Sequence, residues 1–291
     1  MKHLSINWAL PSATDFKSAL QHYRRYLQDY GLRESTIEEY TGNVGRHLKF
    51  CGTDHPASKD FDKFRESLHS WKLSRSTLNQ YAYAVKAYHK MMGDELIIQR
   101  LNPDNKIPYY FTDKEVERIF HACSNLKHKA MLSVLFYGAL RASELCQLDD
   151  SDINLSNLTL RIQHGKGGRE GITYINEDCA SLLKHYLRVR PSLIIDGRQP
   201  LFYTDFGQRW ARTELHRIFV IYKKKAGVES KGGVHVFARH TPATLLISRG
   251  CDLKTVQELL RHRDLRTTSR YVHISDVVRR QKYDQFLGSY H

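Results

Sequence analysis

A polar stretch carrying two prolines, from Leu101 to Pro108, divides a chain whose apolar residues otherwise recur at helical spacing. Proline fixes φ and lacks an N–H, so Pro103 and Pro108 interrupt helix between two lengths of chain. Each length holds enough apolar residues for a core of its own. A boundary near residue 105 follows, with a first unit over 1–104 and a second over 105–291.

Before the break the pattern is helical. Phe16, Leu20, Tyr23 and Leu27 share one face, and Gly31 ends their run. Ile37, Tyr40, Val44 and Leu48 make a second stripe, opened by Ser35 and Glu38 as a capping box and closed near Cys51 and Gly52. A shorter helix is expected around Phe61, Phe64 and Leu68, and another along Leu78, Tyr81, Val85 and Tyr88, giving four main helices. Beyond the break, Thr112 and Glu115 form a capping box, and MLSVLFYGALRASELCQL reads as a buried helix, an interruption at Gly138 and a short helix carrying Arg141 and Glu144. From Leu158 to Ile175 the period changes to that of short strands around HGKGGRE, a hairpin whose glycines allow a tight turn. HGKGG lacks the earlier glycine and following hydroxyl of a Walker A loop, so it supports an ATP cradle only weakly, and a flexible basic turn is the plainer reading. The remainder returns to helix.

Charge narrows the partner. With 45 Lys and Arg against 31 Asp and Glu, the formal net charge is +14, and 16 histidines add to it in mild acid. A polyanion fits, and nucleic acid fits better than lipid, because the basic residues are scattered through helices and no lipidation signal accompanies them. The sequence has no apolar run of membrane-crossing length, and MKHLSINWALPSATDF lacks a signal-peptide core, so a cytoplasmic, nucleoid-associated protein is expected. Five separated cysteines without a CxxC pair are expected to be small core residues. No HExxH motif or compact carboxylate cluster supports a metal-dependent nuclease.

The chemical signal lies in VHVFARHTPATLLISRG and CDLKTVQELLRHRDLRTTSRYVH. Thr255 and Glu258 are positioned to cap a helix running toward His262, with Tyr271 shortly after. Two arginines can neutralise phosphate oxygens while a tyrosine oxygen attacks phosphorus, with a histidine or lysine moving protons. Each residue alone has a plainer reading: Arg141 in a core-edge ion pair with Glu144 or Asp149, Lys166 as a solvated turn lysine, His262 as a helix cap.

Their order along the chain resembles the tyrosine recombinase, or phage-integrase, family. Arg141 in GALRASEL and Arg239 in ARHTPATLL match the two family arginines, Lys166 in HGKGGRE the hairpin lysine, His262 in ELLRHRD the later histidine and Tyr271 in TTSRYVH the nucleophile. Glu144 and His240 match supporting positions. The family histidine usually stands three residues before the second arginine; Val236 is there, and His235 lies one residue farther away. The resemblance implies a mainly α protein: a helical core-binding domain, then a mixed α/β catalytic domain with a small antiparallel sheet. It implies a site-specific recombinase forming a 3′-phosphotyrosyl intermediate, with no cofactor and no metal, acting on paired sites in double-stranded DNA as a homotetramer, in some systems with accessory proteins. In such proteins a terminal segment like the one holding Val277, Val278, Tyr283, Phe286 and Leu287 packs on a neighbouring subunit. The competing readings are a catalytically inactive sequence-specific DNA-binding protein and a type IB topoisomerase-like enzyme.

Overall fold

The computed structural model describes residues 16–102, 108–163, 170–271 and Tyr283. The chain divides into two compact units, Met1–Asn105 and Lys106–His291.

The first unit consists, among its described residues, of four helices: α1 (Lys17–Asp29), α2 (Glu34–Cys51), α3 (Ser58–Ser70) and α4 (Arg75–Met91). Their apolar stripes meet in one core that includes Tyr23, Leu27, Val44, Leu48, Phe64 and Val85, all at most 1% exposed. Each such side chain contributes roughly 1.5–3 kcal/mol on burial. Tyr23 can be in that core because its hydroxyl donates to the Ala84 carbonyl at 2.7 Å. From within α4, the Asn79 side chain donates to the Leu101 carbonyl and accepts its N–H, at 2.8 and 2.9 Å. The Ser35–Glu38 capping box does not form. Helix α2 begins at Glu34, with Arg33 as an N-cap that makes no side-chain cap bond.

The second unit opens with α5 (Asp113–Ala122), where the Thr112–Glu115 capping box is present. Helix α6 (Leu126–Tyr137) is buried almost all round, as an evenly apolar sequence requires. The chain then turns through Gly138 and Ala139 into the short α7 (Ala142–Cys146), capped by Glu144 reaching back to the Arg141 N–H. Strands β1 (Ile153–Asn154), β2 (Thr159–Ile162) and β3 (Gly171–Tyr174) form an antiparallel sheet in the order β1-β2-β3, with Leu160 opposite Thr173. Only β2 and β3 follow from the hairpin signal; β1 is too short to leave one. Helices α8 (Glu177–Val189) and α9 (Arg212–Lys225) complete the surround of α6.

The last segment positions the site. Val236–His240 form one π-helical turn, with the Thr241 N–H reaching back five residues to the Val236 carbonyl, and it runs directly into α10 (Thr241–Ser248). Phe237 anchors that turn in a cluster with Phe111, Phe120, Phe136 and Phe219, at ring-centroid distances of 5.0 to 6.5 Å. Helices α11 (Leu253–Leu259) and α12 (Leu265–Ser269) follow. Helix α11 is capped by Asp252, which accepts the Thr255 N–H at 2.9 Å; Thr255 and Glu258 are one turn too far in to cap it. Among the described residues no helix is long and apolar enough to cross a membrane.

Candidate active site

The turn between α6 and α7 is the hub of the site. Ala139 adopts a left-handed backbone (φ 46°), which costs an L-residue about 1–2 kcal/mol and turns its carbonyl inward. That carbonyl accepts from Arg239 Nη1 at 2.5 Å, while Arg239 Nη2 donates to the Leu260 carbonyl at the end of α11. Arg239 is 2% exposed, and burial followed by the charges of Arg141 and Arg261 pushes its pKa down to about 9. The guanidinium therefore stays charged at neutral pH although little of it meets water.

Among the described residues, Glu144 is the only anion paired with Arg141 and Arg261. Its Oε1 accepts Arg141 Nη1 at 2.5 Å, and its Oε2 accepts both the Arg141 N–H at 2.8 Å and Arg261 Nη2 at 2.9 Å. Burial by itself would raise the carboxyl, but Arg261 first and then Arg141 hold it below its ordinary range. Removing one partner from such a buried set leaves a charge uncompensated, at a cost of roughly 3–5 kcal/mol.

Tyr271 is packed with Ala139, Ala243, Val256 and Leu260 and is 2% exposed. Its hydroxyl lies 2.7 Å from His240 Nδ1. Burial holds the phenol above its ordinary value against the opposing pull of Arg239 and Arg270, so the hydroxyl is the donor in this bond. Burial, then His235 and Arg270, push His240 down to about 4, so its neutral Nδ1 accepts. His240 was expected as support beside the second arginine; the structure sets it directly against the tyrosine. His262 faces elsewhere, with Nδ1 2.9 Å from the Thr268 hydroxyl of α12. Burial and the charges of Arg239 and Arg141 lower it to about 3, which places it in the same field.

The displaced His235 is explained by the π-turn. A π-turn holds one residue more than an α-turn. A residue four before Arg239 therefore occupies nearly the azimuth that a residue three before it holds in an uninterrupted α-helix. His235 accordingly packs edge-on to His240, with ring centroids 4.7 Å apart, and burial, Arg239 and Arg141 depress its pKa. Glycine permits the approach to this helix: a Cβ on Gly233 would meet the His216 ring at 2.5 Å.

Lys166 lies outside the described residues. The strand that follows it in sequence is fixed at the site, since the Thr173 hydroxyl of β3 donates to the Gly138 carbonyl at 2.9 Å. Arg261 is the residue that the sequence concealed. It stands between Leu260 and His262 in a chain rich in arginine, and nothing in its neighbours distinguishes it.

Arg141, Glu144, Arg239, His235, His240, His262 and Tyr271 thus converge in the second unit, and a helical domain that gathers a buried tyrosine hydroxyl among arginines and neutral histidines has the architecture of a tyrosine-type DNA strand-exchange enzyme. The chain belongs to the phage integrase family, whose model matches residues 109–277. The tyrosine recombinase XerA of Pyrococcus furiosus is 31% identical over 275 residues, covering 90% of this chain and 93% of the relative. XerD of Oceanobacillus iheyensis is 28% identical over 292 residues, covering 92% and 97%. Among solved structures, a XerA recombinase aligns at 29% identity with a TM-score of 0.57 over 94% of this chain and all of the other. The XerH recombinase in a pre-cleavage complex with its difH substrate shares the fold, with a TM-score of 0.70 at 21% identity over 93% of this chain and 85% of the other. The chain is a tyrosine recombinase, an enzyme of site-specific DNA recombination.

Proposed function

We propose that Tyr271 is the nucleophile and that Arg141, Arg239, His235, His240 and His262 form its phosphate-binding and proton-handling shell, with Lys166 as the acid for the leaving group. The buried Tyr271 hydroxyl against His240, in a field that also holds Arg239, Arg141, His235 and His262, supports the reading. The Tyr271 oxygen attacks a DNA phosphorus, the bond from phosphorus to the 5′ oxygen breaks, and Lys166 supplies the proton that makes it a 5′ hydroxyl. A 3′-phosphotyrosyl bond stores the energy of the broken diester. Attack by a partner strand's 5′ hydroxyl reverses the step and releases the tyrosine. Arg141 and Arg239 stabilise the charge that develops on the nonbridging oxygens.

Proton flow follows from the depressed histidines. With His240 near 4 and the phenol above its ordinary value, transfer between them is strongly uphill in the free protein. A phosphate entering the cluster adds a negative charge, which raises the histidines and lets His240 take the proton as the new P–O bond forms. His262, neutral and held by Thr268, donates a hydrogen bond to the phosphate.

The finer assignments rest on the same reading. The first unit serves as a core-binding domain and the second as the catalytic domain on double-stranded DNA, consistent with the net charge of +14. Four copies hold two paired sites, with or without accessory proteins, in the cytoplasm at the nucleoid. The tail bearing Phe286 and Leu287 falls outside the described residues, and replacing both should impair assembly on DNA more than the affinity of one copy for one site.

The test is a metal-free suicide-substrate assay across a library of candidate sites, comparing the parent with Tyr271→Phe. A 3′ adduct that needs Tyr271 supports the assignment and reveals the target. Specific binding with no adduct would point to a binding protein instead, and supercoil relaxation without exchange to a topoisomerase-like enzyme.

A further inference from the structure

Arg261 takes no part in the reaction as proposed above, yet it is built into the site at three points. It is the only arginine among the described residues with a left-handed backbone, at φ 52°, a conformation that favours glycine. Its side chain is 11% exposed, so a long cation is held away from water at a position where an uncharged small residue would be easier to place. Its Nη2 contacts Glu144 Oε2 at 2.9 Å and reaches the Ala139 carbonyl at 3.5 Å, the same carbonyl that holds Arg239. Nη1 donates to the Leu259 carbonyl at 3.1 Å, and Nε is buried with no acceptor.

The opposite wall of this side chain is the hairpin. A Cβ on Gly171, the first residue of β3, would come within 2.9 Å of Arg261 Cδ, so the absence of a side chain there leaves room for the arginine. Arg261 therefore touches the carboxylate that orients Arg141, the carbonyl that orients Arg239 and the base of the strand that follows Lys166 in sequence. Without it, Glu144 would retain only Arg141, and Oε2 would lose its charged donor. A carboxylate held from both sides cannot swing, which fixes the Arg141 fork in one geometry.

We propose that Arg261 is a positioning residue of the reaction: a third guanidinium that clamps Glu144 and through it aligns Arg141 on the scissile phosphate. The inference rests on the assignment of Arg141 and Tyr271 given above. It goes beyond the pattern of two arginines, because it makes the carboxylate a bridge between two cations, Arg141 and Arg261.

The competing account is that Arg261 only pins the end of α11 to the hairpin. Glycine and lysine separate the two, since glycine suits the backbone and removes the charge, whereas lysine keeps the charge and the strain. Full-length parent, Arg261→Gly, Arg261→Lys and Glu144→Gln proteins, with Tyr271→Phe as the blank, would be compared for site binding, melting temperature and single-turnover adduct formation at saturating protein. The expected result for Arg261→Gly, assayed well below its lowered melting temperature so that the protein is folded, is affinity within about twofold of the parent and adduct formation slower by about tenfold or more, the loss expected when one charge-assisted hydrogen bond no longer orients a transition-state donor. Arg261→Lys should recover a measurable part of that rate. Adding Glu144→Gln to Arg261→Gly should cost less than the two single losses multiplied, because both break one clamp.

Adduct formation by Arg261→Gly at the parental rate would overturn the clamp, as would a loss confined to melting temperature or affinity, or a Lys variant no faster than Gly. A parent that forms no Tyr271-dependent adduct would instead overturn the assignment beneath it, and the clamp with it.

Discussion

Both units bury histidines, but in different company. In the first, His47 and His89 are fully buried between α2, α3 and α4, with the His47 ring 4.9 Å from Phe64 and 6.4 Å from His89. The neighbours of His47 include the Cys51 thiol at 3.6 Å, and those of His89 include the Asp94 carboxylate, 3.7 Å away and beyond hydrogen-bond distance. In the second unit, His235, His240 and His262 lie among arginines, and His240 sits against a tyrosine hydroxyl. Burial depresses all five, and His47 and His240 reach about the same value of 4. A depressed histidine is therefore not a mark of chemistry by itself. The distinction lies in whether the groups around it form a place where an anion would be welcome.

The sharpest division between the units comes from Tyr271→Phe, which should lower adduct formation by about 10⁴-fold or more while leaving hydrogen-exchange protection in α1–α4 unchanged. An adduct persisting in that variant would show that the nucleophile lies elsewhere. Arg239→Lys comes next. Losing a planar fork held by two carbonyls should reduce the cleavage rate by about 10²–10³-fold, with site affinity reduced much less; equal losses in both would make Arg239 a binding residue only.

The histidines of the first unit should be seen in stability instead. Both are neutral when folded, whereas in the unfolded chain they take protons near their ordinary pKa of about 6.5. Protons therefore bind preferentially to the unfolded form as pH falls. Their contribution is fully present above about pH 6.5 and is lost as the pH falls below it, for His47 toward pH 4 and on the order of 3 kcal/mol. Amide protection in α2 and α4 should fall across that window, and His47→Leu should flatten the fall; a pH-independent profile in the parent would contradict the burial argument. The smallest effect concerns the π-turn. His235→Ala should slow cleavage by roughly 10- to 100-fold, but deleting Val236 should keep the rate within about tenfold of the parent, because a plain α-turn then sets His235 three residues from Arg239. If the deletion is as damaging as His235→Ala, the π-turn has a purpose other than phasing.

How much of this was legible in the sequence depended on what each feature needs. The four helices of the first unit and the stripe of α5 follow from apolar period alone, because one face of each meets the core. The α2 start and the α11 cap do not follow, since Arg33 and Asp252 compete with equally plausible hydroxyl residues, Ser35 and Thr255, two and three positions away. Six dispersed positions that the fold brings together, Arg141, Glu144, Arg239, His240, His262 and Tyr271, follow from motif order rather than physics. His235 was found as an exception to that order, and only the backbone reveals why it is none. Arg261 left no trace, because its importance arises from a left-handed turn and a missing Cβ on a distant strand. Contacts of that kind have no period and no motif.

The extra residue held in the Val236–His240 turn also bears on how such chains are compared. A helix that absorbs a residue as one wide turn keeps everything before and after it in register, so an insertion there is invisible to the fold and conspicuous to an alignment. Pattern searches that demand a fixed interval between histidine and arginine will pass over chains like this one. Allowing three or four would recover them.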